Sequence, residues 1–168
     1  MDVLFMKNIF YTIYAVFFNF FSIFPMKKDK VSFLSPHNES FQDSLGAVMN
    51  EVIRRDEFTV CKITCTDLKI DKSGIASVLL SVLRILRFFT VKAYHLATSH
   101  YVFMNDNFMP MASLKFSKEA VVTQLWHAEG AFKRFGLSAP LTEEIREREK
   151  RCSERLDYVV CTSKNVVP

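Results

Sequence analysis

Only 4 glycines and 5 prolines occur in 168 residues of which 49% are apolar, which excludes collagen-like, low-complexity and disordered chains. Cysteine is equally sparse. Cys61, Cys65, Cys152 and Cys161 form no CxxC pair and no spacing of a disulfide framework or zinc site, so they read as reduced thiols of a cytosolic compartment. A dominant charge is also missing: 22 basic against 18 acidic residues leave a formal +4. That excess is too small to call for nucleic acid, and none is expected as a partner. No internal repeat is present, and no metal or cofactor is expected. At this length a single domain with a full core is affordable.

What the chain does have is phenylalanine. Of 17 in all, Phe5, Phe10, Phe17, Phe18, Phe20, Phe21 and Phe24 precede residue 26. Residues 8–26 carry no charge, Lys7 precedes them, and Lys27, Lys28 and Lys30 follow. Pro25 predicts a helix end near Phe24. A helix over 8–24 would be roughly 25 Å long, a little short of the ~30 Å hydrocarbon core of a bilayer. Its polar residues Asn8, Thr12, Asn19 and Ser22, with Ala15, fall on one stripe at helical spacing, opposite a wide aromatic face. A cleavable signal peptide is disfavoured by the bulky Ile23-Phe24-Pro25. Contact with a membrane is favoured over a buried core helix, and spanning and lying flat both remain open. A spanning helix would leave the main domain on the cytoplasmic face of the cell membrane. The expected organisation is therefore a membrane-associating helix at 1–26 and a Rossmann-like domain at 27–168, with Lys27 to Lys30 as the linker.

Apolar runs at 31–35, 58–64, 101–104, 120–125 and 158–161 predict five strands. Helical periodicity covers 41–55, 75–99 and 141–156. The last of these is laced with Glu144/Arg148 and Glu147/Arg151 pairs at i,i+4. Strands alternating with helices predict an α/β fold: a parallel sheet with helices on both faces. In such a sheet ligands sit outside the carboxyl ends of the strands. The polar segments 35–40, 105–107, 127–130 and 162–165 each follow a strand, and together they mark one edge as the site.

The densest signal is Gln124-Leu-Trp-His-Ala-Glu-Gly-Ala-Phe-Lys-Arg-Phe-Gly136, which holds the chain's single Trp. It reads as a strand delivering Trp126 and His127 to its carboxyl end. Gly130 permits a tight turn or close ligand approach, and Lys133 and Arg134 follow. An imidazole there can act as general base, because its pKa lies near working pH, and Lys133 or Arg134 could meet a phosphate. On pattern alone the opposite reading is equally good: His127 bonds a strand end and Trp126 fills the core.

This motif resembles the signature of the CDP-glycerol glycerophosphotransferase family, the enzymes that prime and polymerise teichoic acid backbones. Tyr94-His-Leu-Ala-Thr-Ser-His-Tyr-Val-Phe-Met-Asn-Asp106 is similar to the family's segment before the motif. Val31-Ser-Phe-Leu-Ser35 resembles its first strand, and Leu156-Asp-Tyr-Val-Val-Cys-Thr-Ser163 the strand after the charged helix. The likeness runs from about residue 27 to the end. It implies the amino-terminal half of a two-domain glycosyltransferase-B-type fold. The implied activity is transfer of glycerol phosphate from the donor CDP-glycerol to a hydroxyl of a lipid-linked acceptor, with release of CMP. The family's proposed base carries over onto His127. Lys133 and the amides near Gly130 could offset charge on the transferring group. Glu129 departs from the expected small or uncharged residue, and there it would orient His127 or repel a phosphate. The family's carboxyl-terminal domain, which grips the CDP moiety, is not found before Pro168. The chain is thus expected to act with a separate carboxyl-terminal domain, the alternative being a non-catalytic fragment or membrane-associated interaction module.

Asp106, between two asparagines after the third strand, is a candidate acceptor ligand or an Asx turn residue. His37, in Pro36-His37-Asn38 after the first strand, could face the cleft, and the favoured reading is that it is simply solvated. His95 and His100 are expected to cap or pack a helix end. Ser77, Ser81, Arg84 and Arg87 share one side of the 75–99 helix, away from its leucines, as on an ordinary surface helix.

Overall fold

The computed structural model describes residues 3–125 and 136–160. Strands β1 (Lys27–Ser35), β2 (Thr59–Thr64), β3 (Ser99–Met104), β4 (Val121–Gln124) and β5 (Tyr158–Val159) form one sheet in the order β2-β1-β3-β4-β5. Every neighbouring pair is parallel. The register aligns Ser35 with Thr64, Leu34 with Met104, Met104 with Gln124, and Gln124 with Val159, so all five carboxyl ends reach one edge. The α/β reading with a parallel sheet and helices on both faces therefore holds.

Parallel strands need crossovers, and the strand order decides on which face each helix lies. The step from β1 to β2 goes one way, and α2 (Asp43–Arg55) covers that face with Leu45 and Met49 against Val31 and Phe33. Every later step goes the other way. On the opposite face lie α1 (Val3–Phe21), the helix α3 (Ile75–Arg87) running on into α4 (Ala93–Ala97), and α5 (Glu143–Ser153). Tyr14, Phe18, Leu96 and Cys152 from these helices join Leu34, Val102, Met104 and Val122 of the sheet in the larger core.

Three sequence expectations change here. The lysine stretch is no linker: Lys27 to Lys30 begin β1, and the Lys27 N–H donates to the Thr98 carbonyl at 2.9 Å. Lys30 is buried because its ammonium donates to Thr98 Oγ1 at 2.9 Å and lies 4.4 Å from the centre of the Tyr94 ring. The single helix over 75–99 is two helices joined by a π-turn (Phe88–Lys92), and Ser99 already belongs to β3. The third change concerns which side of α3 faces in. Ser81 is buried, its hydroxyl accepts from the Asp71 N–H, and Arg84 donates to the Lys69 carbonyl. Leu79, Leu80, Leu83 and Leu86 are 54–66% exposed. A helix whose polar side is satisfied by backbone groups of the preceding loop turns its apolar side out.

The first helix is likewise two-sided. Tyr14, Ala15 and Phe18 are buried, and the polar stripe faces the domain: Asn8 donates to Glu144 Oε1 at 2.7 Å, and Asn19 bonds the Ser113 carbonyl and the Lys115 N–H. Ile9, Ile13, Val16 and Phe20 face outward. No helix among the described residues is long and apolar enough to cross a membrane.

Candidate active site at the carboxyl edge

The strand order 2-1-3-4-5 reverses direction between β1 and β3, and at such a switch point the two following loops part and leave a crevice. The loops are Pro36-His37-Asn38 and Asn105-Asp106-Asn107. His37 Nε2 stands 3.7 Å from Asp106 Oδ2, across the crevice, with the histidine side chain 65% exposed and the aspartate 26%. At that distance the two form an ion pair when the imidazole is protonated, and they reach a ligand hydroxyl equally well when it is not. Asp106 also accepts from the Asn107 N–H at 2.8 Å, as an Asx residue does.

Behind them, Asn107 donates its side-chain amide to Glu149 Oε2 of α5 at 2.7 Å. Burial pushes the Glu149 carboxyl above its ordinary range. The Asn107 bond works against that shift and the Asp106 charge adds to it. Polar residues are buried all along this edge: Ser35 on β1, Asn105 after β3, and Gln124 closing β4. The Asn38 amide donates to Ser35 Oγ at 3.1 Å. Both polar atoms of the Gln124 amide, fully buried, lack a hydrogen-bond partner among the described residues. A buried amide left unpaired costs about 1–3 kcal/mol, so an atom that could bond it would be held firmly.

A cavity of about 540 Å³ opens beside the crevice. One wall is His37 and Asn107, and the rest is chiefly Phe10 of α1, Leu68, and Ile85 and Phe89 from α3 and the π-turn. The Leu68 wall is pinned from behind. Asp67, in the 3-10 turn after β2, receives the Lys92 ammonium at 2.6 and 2.7 Å, and its carboxylate caps Thr64 N at 3.0 Å.

Of the site residues expected from the sequence, Asp106 lies at the crevice. Trp126, His127, Glu129, Gly130 and Lys133 lie outside the described residues. The chain enters that motif from Gln124, the last residue of β4, at the same edge. His37 is solvated, as the favoured reading had it, and it also faces the cleft, 3.7 Å from Asp106. The missing signal was strand order: the His37 and Asp106 loops are neighbours only because β1 and β3 are, and periodicity does not report adjacency. His95 sits on α4, with Nδ1 buried and without a partner among the described residues, and His100 Nδ1 meets Met26 Sδ at 3.2 Å.

The sequence pattern of CDP-glycerol:poly(glycerophosphate) glycerophosphotransferases matches residues 16–167. The chain belongs to this family. Among curated relatives, a teichoic acid ribitol-phosphate primase of Bacillus spizizenii is 34% identical over 134 residues, 79% of this chain and 31% of the primase. A teichoic acid poly(ribitol-phosphate) polymerase of the same organism is 31% identical over 121 residues, 72% of this chain and 18% of the polymerase. A ribitol-phosphate polymerase of Staphylococcus aureus is 29% identical over 135 residues, 75% of this chain and 21% of that protein. The chain thus spans between 18% and 31% of the length of these relatives.

Proposed function

We propose that this chain is the acceptor-side half of a teichoic-acid transferase with a glycosyltransferase-B-type architecture, whose donor-binding half is a second, carboxyl-terminal domain. The reaction moves an alditol phosphate from a CDP-linked donor to a hydroxyl of a membrane-linked acceptor. The acceptor oxygen bonds the donor's β-phosphorus, the bond from that phosphorus to the bridging oxygen breaks, and CMP leaves. His127 takes the acceptor proton, and Glu129 orients it. Lys133 and the amides near Gly130 offset charge on the transferring group, because phosphoryl transfer depends mainly on positioning and electrostatics. Trp126, Asp106 and His37 bind the acceptor.

The observation that carries this reading is the edge itself. A two-loop crevice at the β1/β3 switch point shares the carboxyl edge with Gln124, the first residue of the Trp-His motif, whose buried amide has no partner among the described residues. The family description names glycerophosphate and the relatives' names ribitol phosphate, so the alditol is to be decided by assay. The outward apolar sides of α1 and α3 support work at the cytoplasmic face of a membrane.

The test is CMP release by the chain with native membranes and a separately expressed carboxyl-terminal domain, from CDP-glycerol and from CDP-ribitol. Turnover with one donor that falls at least ~100-fold in His127→Ala is the expected result, within the usual range for a general base. Undiminished turnover in that variant refutes the assignment of the base. Absence of turnover with both donors refutes the transferase reading.

A further inference from the structure

Beside the His37–Asp106 crevice, the 540 Å³ cavity has the size of a small-molecule site, about 300–1,000 Å³, but an unusual lining for a sugar or nucleotide. Phe10, Leu68, Ile85, Phe89 and Phe108 are among the apolar side chains that dominate its wall. Its one ammonium is Lys7 of α1, an exposed side chain with no hydrogen bond or ion pair among the described residues. The cavity lies between α1 and the α3/π-turn segment, the two elements whose outer sides are apolar. His37 and Asn107, one from each of the two crevice loops, also line it.

We propose that this groove binds the hydrocarbon chain of an anionic amphiphile, a lipid phosphate, with its phosphate at Lys7 and its head directed to the His37–Asp106 crevice. The inference rests on the reading of a membrane-linked acceptor and adds where the acceptor's anchor sits. The occupant follows from three features together. A groove walled by aromatic and aliphatic side chains excludes a polar polymer, since hydroxyls there would lose water without gaining partners. A single free ammonium at an apolar wall matches one phosphate. Outward apolar sides on both flanking helices let a chain enter from a bilayer without crossing water. The groove is a track from lipid to the carboxyl edge, so the anchor's seating would fix how far the acceptor hydroxyl reaches.

The test is calorimetric titration of the full chain with dodecyl phosphate below its micelle concentration, with octyl glucoside and inorganic phosphate as probes lacking the charge or the chain. Dodecyl phosphate is expected to bind, inorganic phosphate not to, and octyl glucoside to bind at least ~10-fold more weakly. Leu68→Trp, which fills the groove, and Lys7→Glu, which reverses its cation, should each weaken dodecyl phosphate by ~10-fold or more, with circular dichroism unchanged. Leu79→Asp on the outer side of α3 should leave it unaltered. Equal affinity in both groove variants overturns the proposal, and so does a loss confined to Leu79→Asp, which would mark a flat membrane-docking side instead. Binding that only accompanies dissociation of a dimer also overturns it, because a second copy would then be the occupant. The readout needs no donor: binding without transfer sinks the transferase reading alone, and transfer without groove binding sinks this proposal alone.

Discussion

Replacing Lys92 by methionine should reveal how strongly the groove wall is pinned. The Lys92 ammonium meets Asp67 Oδ1 and Oδ2 at 2.6 and 2.7 Å and the Lys62 carbonyl at 2.5 Å. The aspartate side chain is 7% exposed and the lysine 19%, so this is a mostly buried pair. Methionine keeps the length and removes the charge. Among the described residues the Asp67 carboxylate would then keep the Thr64 N–H, at 3.0 Å, as its donor. Stranding a buried charge in this way costs about 3–5 kcal/mol, against a total stability of about 5–15 kcal/mol. With a urea slope of about 2 kcal/mol/M, the midpoint should fall by about 2 M. Asp67→Asn combined with Lys92→Met removes both charges while keeping the side-chain shape near the cap. The double variant should recover most of the loss, giving a coupling energy of about 2 kcal/mol or more. The assay is urea unfolding by far-ultraviolet circular dichroism for the wild type, both single variants and the double. A Lys92→Met variant within about 0.5 kcal/mol of wild type, or a double variant no better than the single, would refute the argument that burial makes this pair decisive.

Two further outcomes follow from buried polar atoms. The Tyr14 hydroxyl is buried in the core without a hydrogen-bond partner among the described residues, and burial pushes its pKa well up. Tyr14→Phe should therefore be neutral or stabilise by up to about 1 kcal/mol, and a loss of more than that by thermal unfolding would show a hidden partner. His95 has its pKa lowered first by burial and then by the charges of Lys30, Lys27 and Arg87. A histidine held neutral in the fold takes up its proton more readily when unfolded. Its contribution is present above the ordinary value of 6.5 and is lost as pH falls through the lower folded value. His95→Gln should flatten the stability profile in that window, and a profile as steep as wild type would locate the dependence elsewhere.

How much the sequence disclosed depended on the kind of pattern. Alternation and turn residues placed all five strands, because a strand's signal is local. Of the two pairs expected on the charged helix, Arg148 does pair with the Glu144 carboxylate, whereas Arg151 donates to the Glu147 backbone carbonyl. Amphipathicity alone could not say which side of α3 faces in. The leucine row and the Ser77-Ser81-Arg84 row are both present at helical spacing, and the choice was made by carbonyls and N–H groups at Lys69 and Asp71 that needed partners. The lysines of 27–30 looked like linker because charge usually lies in water. Lys30 is buried all the same, because Thr98 and Tyr94 receive its ammonium. The His37–Asp106 crevice was hidden for a topological reason: 69 positions separate the two residues in the chain, and only the order of strands brings them together.

The π-turn at Phe88–Lys92 has a consequence for how this surface could have arisen. A π-turn is an α-helix with one residue too many, and each residue advances a helix by about 100°. The extra residue resets the phase, so that Ser81 before the turn, Phe88 at its start, and Ala93, Leu96 and Ala97 after it are all buried. Removing a single codon there would make the helix regular and swing the leucine row by about 100° relative to α4. Whether α3 shows its surroundings leucine or serine and arginine is therefore set by one residue of phase rather than by composition, a change that insertion or deletion can make in a single step.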